Sequence, residues 1–523
     1  MPKETSKDIF HLIKCLTKSE KRYFKVNYSQ GKEGGESFYV KLFDAIDRQR
    51  EYDEKKILAT EDYITHLPTL KGRLYEVILK SLAEFHAGSS TDVVIYRDLH
   101  KVEILFNKAL HEQALKLLGR VKIIAESKED FVSLFRVLDW ERRIYIASSY
   151  SSALEKKNSE LYIKEQEYIK KFSNLSEYKQ LWDNITRALK VQGLHSRSEE
   201  EQRNITQIIE SPLLASEQNA LSNKAKGLHF NIIASYEFSR MNFRNALLNF
   251  EKRIEVIEHS PGSILDHPLV YISALYNILV CYQGLYDAKG FYTIVNKLRD
   301  LPSKYPSFKN STNIQMRIFW QSYMRELEMN ITSGNYERAL SLINIIDEGL
   351  KQYGDMIPGD KISVFYYYFA LLQFIADNKR KSLYWLNRIF SMGNKAEVIV
   401  KALAHILLLI IQYERGDADS LEYTIKSTYR YLYKSRRIYK LETILLHYLR
   451  KETPNLNNPK EIIDSFIRLK VEIEEIVKDP FELNALANFD FISWLESKIE
   501  NKKFADVAKV KILQKMNSVK AVH

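Results

Sequence analysis

The sequence predicts an all-α fold: a right-handed α-solenoid of helical hairpins, with an N-terminal helical cap and C-terminal capping helices. Three observations predict it. Only 17 Gly and 11 Pro occur among 523 residues, well below the average shares of roughly 7% and 5%, so long helices are favoured over many short strands. Apolar residues recur at helical spacing along most of the chain. The stretch Gly334-Asn335-Tyr336, followed by Ala339, Ile343 and Ile346, reads as the turn and second helix of a hairpin. Gly334 permits a tight reversal, Tyr336 wedges between helices and Ala339 lets two backbones approach, with Ile343 and Ile346 continuing the buried stripe.

The elements follow in chain order. Residues 1–90 read as an N-terminal helical domain. Thr17-Lys18-Ser19-Glu20 is a capping box, in which the Thr17 hydroxyl accepts from the third helical N–H and Glu20 reaches back. The polar stretch 29–36 reads as a loop, and helices are expected over about 38–48 and 69–86. The second of these carries Leu70, Leu74, Val77, Ser81, Leu82 and Phe85 along one face.

Residues 91–453 alternate helix and short polar break. Val102, Leu105, Phe106 and Ala109 share a face, which Ala114, Leu118 and Val121 continue after a break near His111. A second instance runs through Phe230, Ile233, Ala234, Phe243, Ala246 and Phe250, and a third through Tyr366, Phe369, Ala370, Ser382, Leu386 and Ile389. A fourth uses Gly416, Leu421 and Ile425. Taking Ala246, Ala339, Ser382 and Leu421 as equivalent gives spacings of 93, 43 and 39 residues, the first close to two units. Residues 454–523 read as capping helices with a basic tail, opened by Asn458 and Pro459 as a helix cap and first-turn proline.

This pattern resembles tetratricopeptide (TPR) repeats, whose usual period is about 34. The second helices match best, at Gly334, Tyr336, Ala339 and Ile343 and at Phe243, Ala246 and Phe250. The first helices depart from the family: Leu327 stands where Gly or Ala is usual, while Glu326 and Glu237 replace apolar or aromatic residues. The segments 16–25 and 491–498 are also similar to helical-repeat proteins of bacteria that carry no assigned activity. The resemblance implies stacked hairpins and a surface for holding macromolecules.

Chemistry is sparse. Cys15 and Cys281 are far apart, which leaves neither a disulfide framework nor a thiolate metal site and fits a reducing, cytoplasmic setting. The apolar run 402–411 contains His405 and falls short of the about 20 residues of a membrane span. Residues 1–8 lead into an amphipathic segment and not a continuous apolar core, so a secretory leader is not expected there. No metal-ligand spacing, phosphate loop or nucleophile motif occurs, so no catalytic residue, metal, cofactor or small-molecule substrate is expected. Asp417-Ala418-Asp419 reads as a turn and helix start, and the aromatic run 364–369 as core.

Basic residues give a stronger pattern. Between Lys426 and Lys451 eight Lys or Arg face one acid, Glu442. Lys426, Arg430, Lys434, Arg437 and Lys440 form a candidate stripe for an anionic partner, with Tyr429, Tyr431 and Tyr433 interleaved. A second stripe comprises Lys18, Lys21, Arg22 and Lys25. The expectation is a non-enzymatic scaffold or adaptor binding a protein or peptide. The alternative is a nucleic-acid- or ribosome-associated factor acting through the basic faces, with 53–86 as a helix-turn-helix candidate.

Overall fold

The computed structural model describes residues 7–29, 37–88, 91–148, 153–192, 199–260, 262–416, 418–435, 440–452, 459–479 and 489–521. These residues form helices and connecting turns, with no strand among them. Two compact units divide the chain, residues 1–166 and 167–523.

The first unit opens with α1 (Asp8–Cys15), α2 (Lys18–Tyr28), α3 (Phe38–Arg48), α4 (Glu54–Thr60) and α5 (Leu67–Phe85). The Thr17–Glu20 capping box forms as expected. Ile13, Phe24, Leu42, Phe43, Ile46, Leu74 and Ile78 make a shared core. Helices α6 (Thr91–Asn107), α7 (His111–Ser127) and α8 (Phe131–Ser148) then pack in sequence. Ala109, expected on the apolar face of α6, instead sits exposed in the α6–α7 turn at φ 57°.

Helix α9 (Ala153–Gln192) contains the boundary between the units. In the second unit Asn174 Nδ2 donates to the Asn219 carbonyl at 3.0 Å, and Tyr178 OH to that of Leu213 at 2.6 Å. These bonds tie α9 to the irregular segment after α10 (Glu199–Ile209). Four hairpins and a fifth then follow: α11 (Asn223–Ser239) with α12 (Phe243–His259), and, after short α13 (Ser263–Asp266), α14 (Pro268–Gly284) with α15 (Ala288–Lys304). Beyond short α16 (Pro306–Lys309) come α17 (Thr312–Thr332) with α18 (Tyr336–Tyr353), α19 (Gly359–Ile375) with α20 (Lys379–Ser391), and α21 (Val398–Arg415) with α22 (Ala418–Lys434). Helices α17, α19 and α21 each pack on both helices of the preceding hairpin.

The register is regular where it counts. Ala246, Phe291, Ala339, Ser382 and Leu421 each occupy the fourth residue of a second helix and are all buried. The 93-residue interval therefore holds two units, and Phe291 was hidden in sequence because an aromatic ring fills a position that is Ala in the hairpins on either side. Gly349 supplies a different kind of close approach: a Cβ there would collide with the Phe319 ring of α17.

One turn geometry closes hairpin after hairpin. The penultimate turn residue is left-handed at Met241, Tyr286, Gly334 and Asp377. The next residue donates its N–H five positions back, as in Asn242 to Glu237 (2.9 Å), Asp287 to Tyr282 (3.0 Å), Asn335 to Asn330 (2.8 Å) and Asn378 to Gln373 (2.7 Å). This is the Schellman arrangement, which satisfies the last carbonyls of the first helix. The same Asn or Asp then caps the second helix: Asn242, Asp287 and Asn378 each accept from an N–H three residues on. Only one of these four turns uses glycine. That is why glycine marks the repeat so poorly in sequence.

Helices α23 (Lys440–His447) and α24 (Pro459–Ile476) lead to two final helices, Phe491–Ile499 and Phe504–Ala521. These two run back along the turns of three hairpins. Trp494, fully buried, donates to Glu414 of α21 at 2.9 Å. Phe489 and Phe504 stack near Phe374 at the end of α19, and Lys509 lies beside the Gly334 turn. Glu414 also binds Lys379 at 2.9 Å and Lys498. Burial works against its charge, yet Lys498, Trp494 and Lys379 together hold the carboxyl below the ordinary range.

Candidate functional site

Helix α17 carries an unusual load of enclosed polar side chains. Gln321, Ser322, Arg325, Glu326, Glu328 and Asn330 are all buried, although charged residues are rarely enclosed unless paired. Their flanks are apolar, so hydrophobic packing fixes the helix and the polar groups are carried inward with it. They sort onto two faces.

On one face Glu326 accepts from Arg299 of α15 at 2.7 Å and from Arg338 of α18 at 3.0 Å. Arg299 also lies over the Tyr323 ring at 4.2 Å, and Arg338 over Tyr292 at 4.6 Å. Glu326 thus ties its own hairpin to the one before it. Glu237, at the register position of Asn330, accepts from Asn242 at 2.7 Å across the α11–α12 turn. The acids that depart from the repeat pattern are therefore ties between elements.

The other face forms a polar seam across three consecutive first helices. Arg325 pairs with Glu328 at 2.6 Å, Tyr368 of α19 donates to Glu328 at 2.8 Å, and the Arg325 guanidinium covers the Tyr276 ring of α14 at 4.7 Å. Trp320 lies 6.0 Å from the same ring, and the Arg317 guanidinium lies over the Trp320 ring at 5.6 Å. Burial pushes the Glu328 carboxyl upward against the opposing pull of Arg325 and Tyr368. Burial, reinforced by the Glu328 charge, raises the Tyr368 phenol.

Four atoms along this seam are enclosed without a hydrogen-bond partner: Arg317 Nε, Trp320 Nε1, Gln321 Oε1 and Arg325 Nε. Gln283 of α14 and His405 and Gln412 of α21 add Oε1, Nδ1 and Oε1 in the same condition. Elsewhere in the second unit His229 of α11 shares this condition, as do Thr186 and Thr428 off the first helices. Enclosed polar groups normally find partners. Three donors and one acceptor collect on one face of α17, a mixture that matches the alternating carbonyl and N–H groups of an extended chain.

The sequence-derived stripes have different fates. Lys21 pairs with Asp47 at 2.6 Å and Lys25 with Asp44 at 2.6 Å, while Lys18 and Arg22 are exposed. Half of that stripe is neutralised by α3. Lys71, in the helix-turn-helix candidate, is likewise bonded to Glu54. On α22, Lys426 contacts exposed Glu422 at 2.6 Å, whereas Arg430 and Lys434 are exposed. Lys440 lies 3.7 Å from Asp479, and Arg437 lies outside the described residues. Tyr431, expected beside Tyr429 and Tyr433, turns inward: its hydroxyl donates to the Val398 carbonyl at 3.2 Å and its ring stacks on His405 at 4.8 Å.

No protein-family model, curated protein or solved structure matches this chain. Among the described residues no group of three or more His, Cys, Asp or Glu side chains converges as a metal site, and no helix is long and apolar enough to cross a membrane. Cys281 is buried, its thiol pushed up to about 12 by burial.

The seam is the site that sequence reasoning missed. Its signal was present as the run Arg325-Glu326-Leu327-Glu328 between Met324 and Met329. Charges that surround a helix whose flanks are apolar must either find partners or face a groove.

Proposed function

We propose that the protein is a non-enzymatic scaffold whose hairpins stack as a right-handed, TPR-like solenoid and hold an extended protein segment along their first helices. The observation that carries this reading is the concentration of enclosed, unpartnered polar atoms on those helices, centred on Arg317, Trp320, Gln321 and Arg325. A bound backbone supplies the missing partners, and the rings of Tyr276, Trp320 and Tyr368 give it apolar walls. The contact of α17, α19 and α21 with both helices of the preceding hairpin supports the stacked arrangement. A cytoplasmic setting accords with two free cysteines.

The test is affinity capture from native lysate with the parent chain and with Gln321→Ala/Arg317→Glu. A stoichiometric protein partner retained by the parent and lost by the variant is the expected result. Recovery of nucleic acid alone, or of the same proteins by both chains, overturns the reading.

A further inference from the structure

The outward face of α22 combines two features that its folding does not require. Tyr423, Tyr429 and Tyr433 are 75%, 52% and 71% exposed, a concentration of surface aromatics that marks a contact site in a soluble protein. Arg430 and Lys434 lie between and beside them, also exposed, and no ion pair of theirs occurs among the described residues. The opposite face holds the helix in place through Leu421, Ile425 and Leu432, with Thr424 and Thr428 buried between them. Tyr431 shows what a packed tyrosine looks like on the same helix, with its hydroxyl bonded and its ring covered. The three outward tyrosines have no such role.

We propose that this face docks single-stranded nucleic acid. The argument is one of matched chemistry. Tyr429 and Tyr433, one turn apart, lie nearly parallel with centroids 6.1 Å apart and 16° between planes, so both present flat faces along one direction. Bases stack on such rings regardless of sequence, while neighbouring cations follow the phosphates. Lys426 adds a further charge: its partner Glu422 is itself 71% exposed, and a surface pair of this kind exchanges readily for a phosphate contact. The second helix of the preceding hairpin repeats the combination, with Arg380, Lys381 and Tyr384 exposed on α20. An acidic peptide would use the cations but leaves the parallel rings unexplained. Duplex DNA keeps its bases stacked on each other and offers the rings nothing.

The proposal is independent of the peptide-binding reading, and each fails by its own measurement. Fluorescence anisotropy of labelled oligothymidylate tests it, with the full chain titrated at low salt. Saturable binding is expected, weakening as salt rises with a slope of about −0.7 per phosphate contacted. Tyr429→Ala/Tyr433→Ala should weaken binding about fivefold or more, and Arg430→Glu/Lys434→Glu should abolish it. Because these side chains are exposed, circular dichroism and melting should remain those of the parent. The proposal is overturned if the oligonucleotide does not bind, or if the tyrosine variant binds as tightly as the parent. Equal competition by polyglutamate at matched charge also overturns it, since the face would then be a generic docking site for acidic chains.

Discussion

The polar seam makes a stability prediction that separates its charges from its shape. Arg325 and Glu328 are both enclosed, with bonds of 2.6 and 3.0 Å between them. Glu328→Gln keeps the volume and an acceptor for Tyr368, but it turns an amide donor toward the guanidinium and leaves a buried cation unpaired. Breaking an enclosed pair from one side costs about 3–5 kcal/mol. The Tyr276 ring already covering Arg325 offsets about 1 kcal/mol of that, so a loss of about 2–4 kcal/mol is expected. Arg325→Met/Glu328→Leu removes both charges together and leaves the Tyr368 hydroxyl without its acceptor, a cost of about 1–3 kcal/mol. Apolar replacement of an ion pair is often neutral or stabilising, so the double variant should lie within about 2 kcal/mol of the parent. Urea unfolding followed by far-ultraviolet circular dichroism measures both, and amide exchange in α14, α17 and α19 localises the effect. If Glu328→Gln is neutral, the carboxyl is already uncharged inside and the ion pair is not a structural element. If the double variant loses as much as Arg325→Met and Glu328→Leu do separately, added together, the residues are not coupled and the seam is wrongly described.

Two further outcomes follow from particular residues. Burial lowers the His405 imidazole from 6.5 to about 4, so the unfolded chain takes up the proton first as the solution is acidified. The associated stability is complete above pH 6.5 and is lost as pH falls toward 4, at no more than about 1.4 kcal/mol per unit and less for a half-buried ring. His405→Phe should flatten the acid side of the stability–pH curve, and an unchanged curve refutes the assignment. At the turns, Ala109 holds a left-handed conformation at φ 57° with an exposed methyl, and Gly334 holds one at φ 73°. Ala109→Gly should stabilise by about 0.5–1 kcal/mol and Gly334→Ala should destabilise by about 1 kcal/mol. Equal melting shifts of the same sign would show that the two turns are not built alike.

Local chemistry was legible wherever a single helix decides the outcome. The Thr17–Glu20 box, the helix at Phe38–Arg48, the Pro459 start and the core placement of Phe365, Tyr366, Tyr367 and Phe369 all depend on neighbours within a turn or two. The Gly334–Ile346 hairpin was readable for the same reason, since small and apolar residues at fixed spacing fix both the turn and the buried stripe. By contrast, Phe291, where the flanking hairpins carry Ala246 and Ala339, concealed a whole repeat, and Met241, Tyr286 and Asp377 concealed turns that glycine would have announced.

The sequence by itself determined that the chain is helical, where many helices begin, and that charge collects near residues 426–451. It did so because helix period, capping and composition are properties of contiguous residues. Tertiary structure alone decided which charges remain available. Lys21, Lys25 and Lys71 look equivalent to Arg430 and Lys434 along the chain, but Asp47, Asp44 and Glu54 arrive from other helices to neutralise the first three. It alone assembled Tyr276, Arg325, Glu328 and Tyr368 from three helices into one seam. Burial and pairing depend on what packs against a side chain from elsewhere, and no local spacing encodes that neighbour.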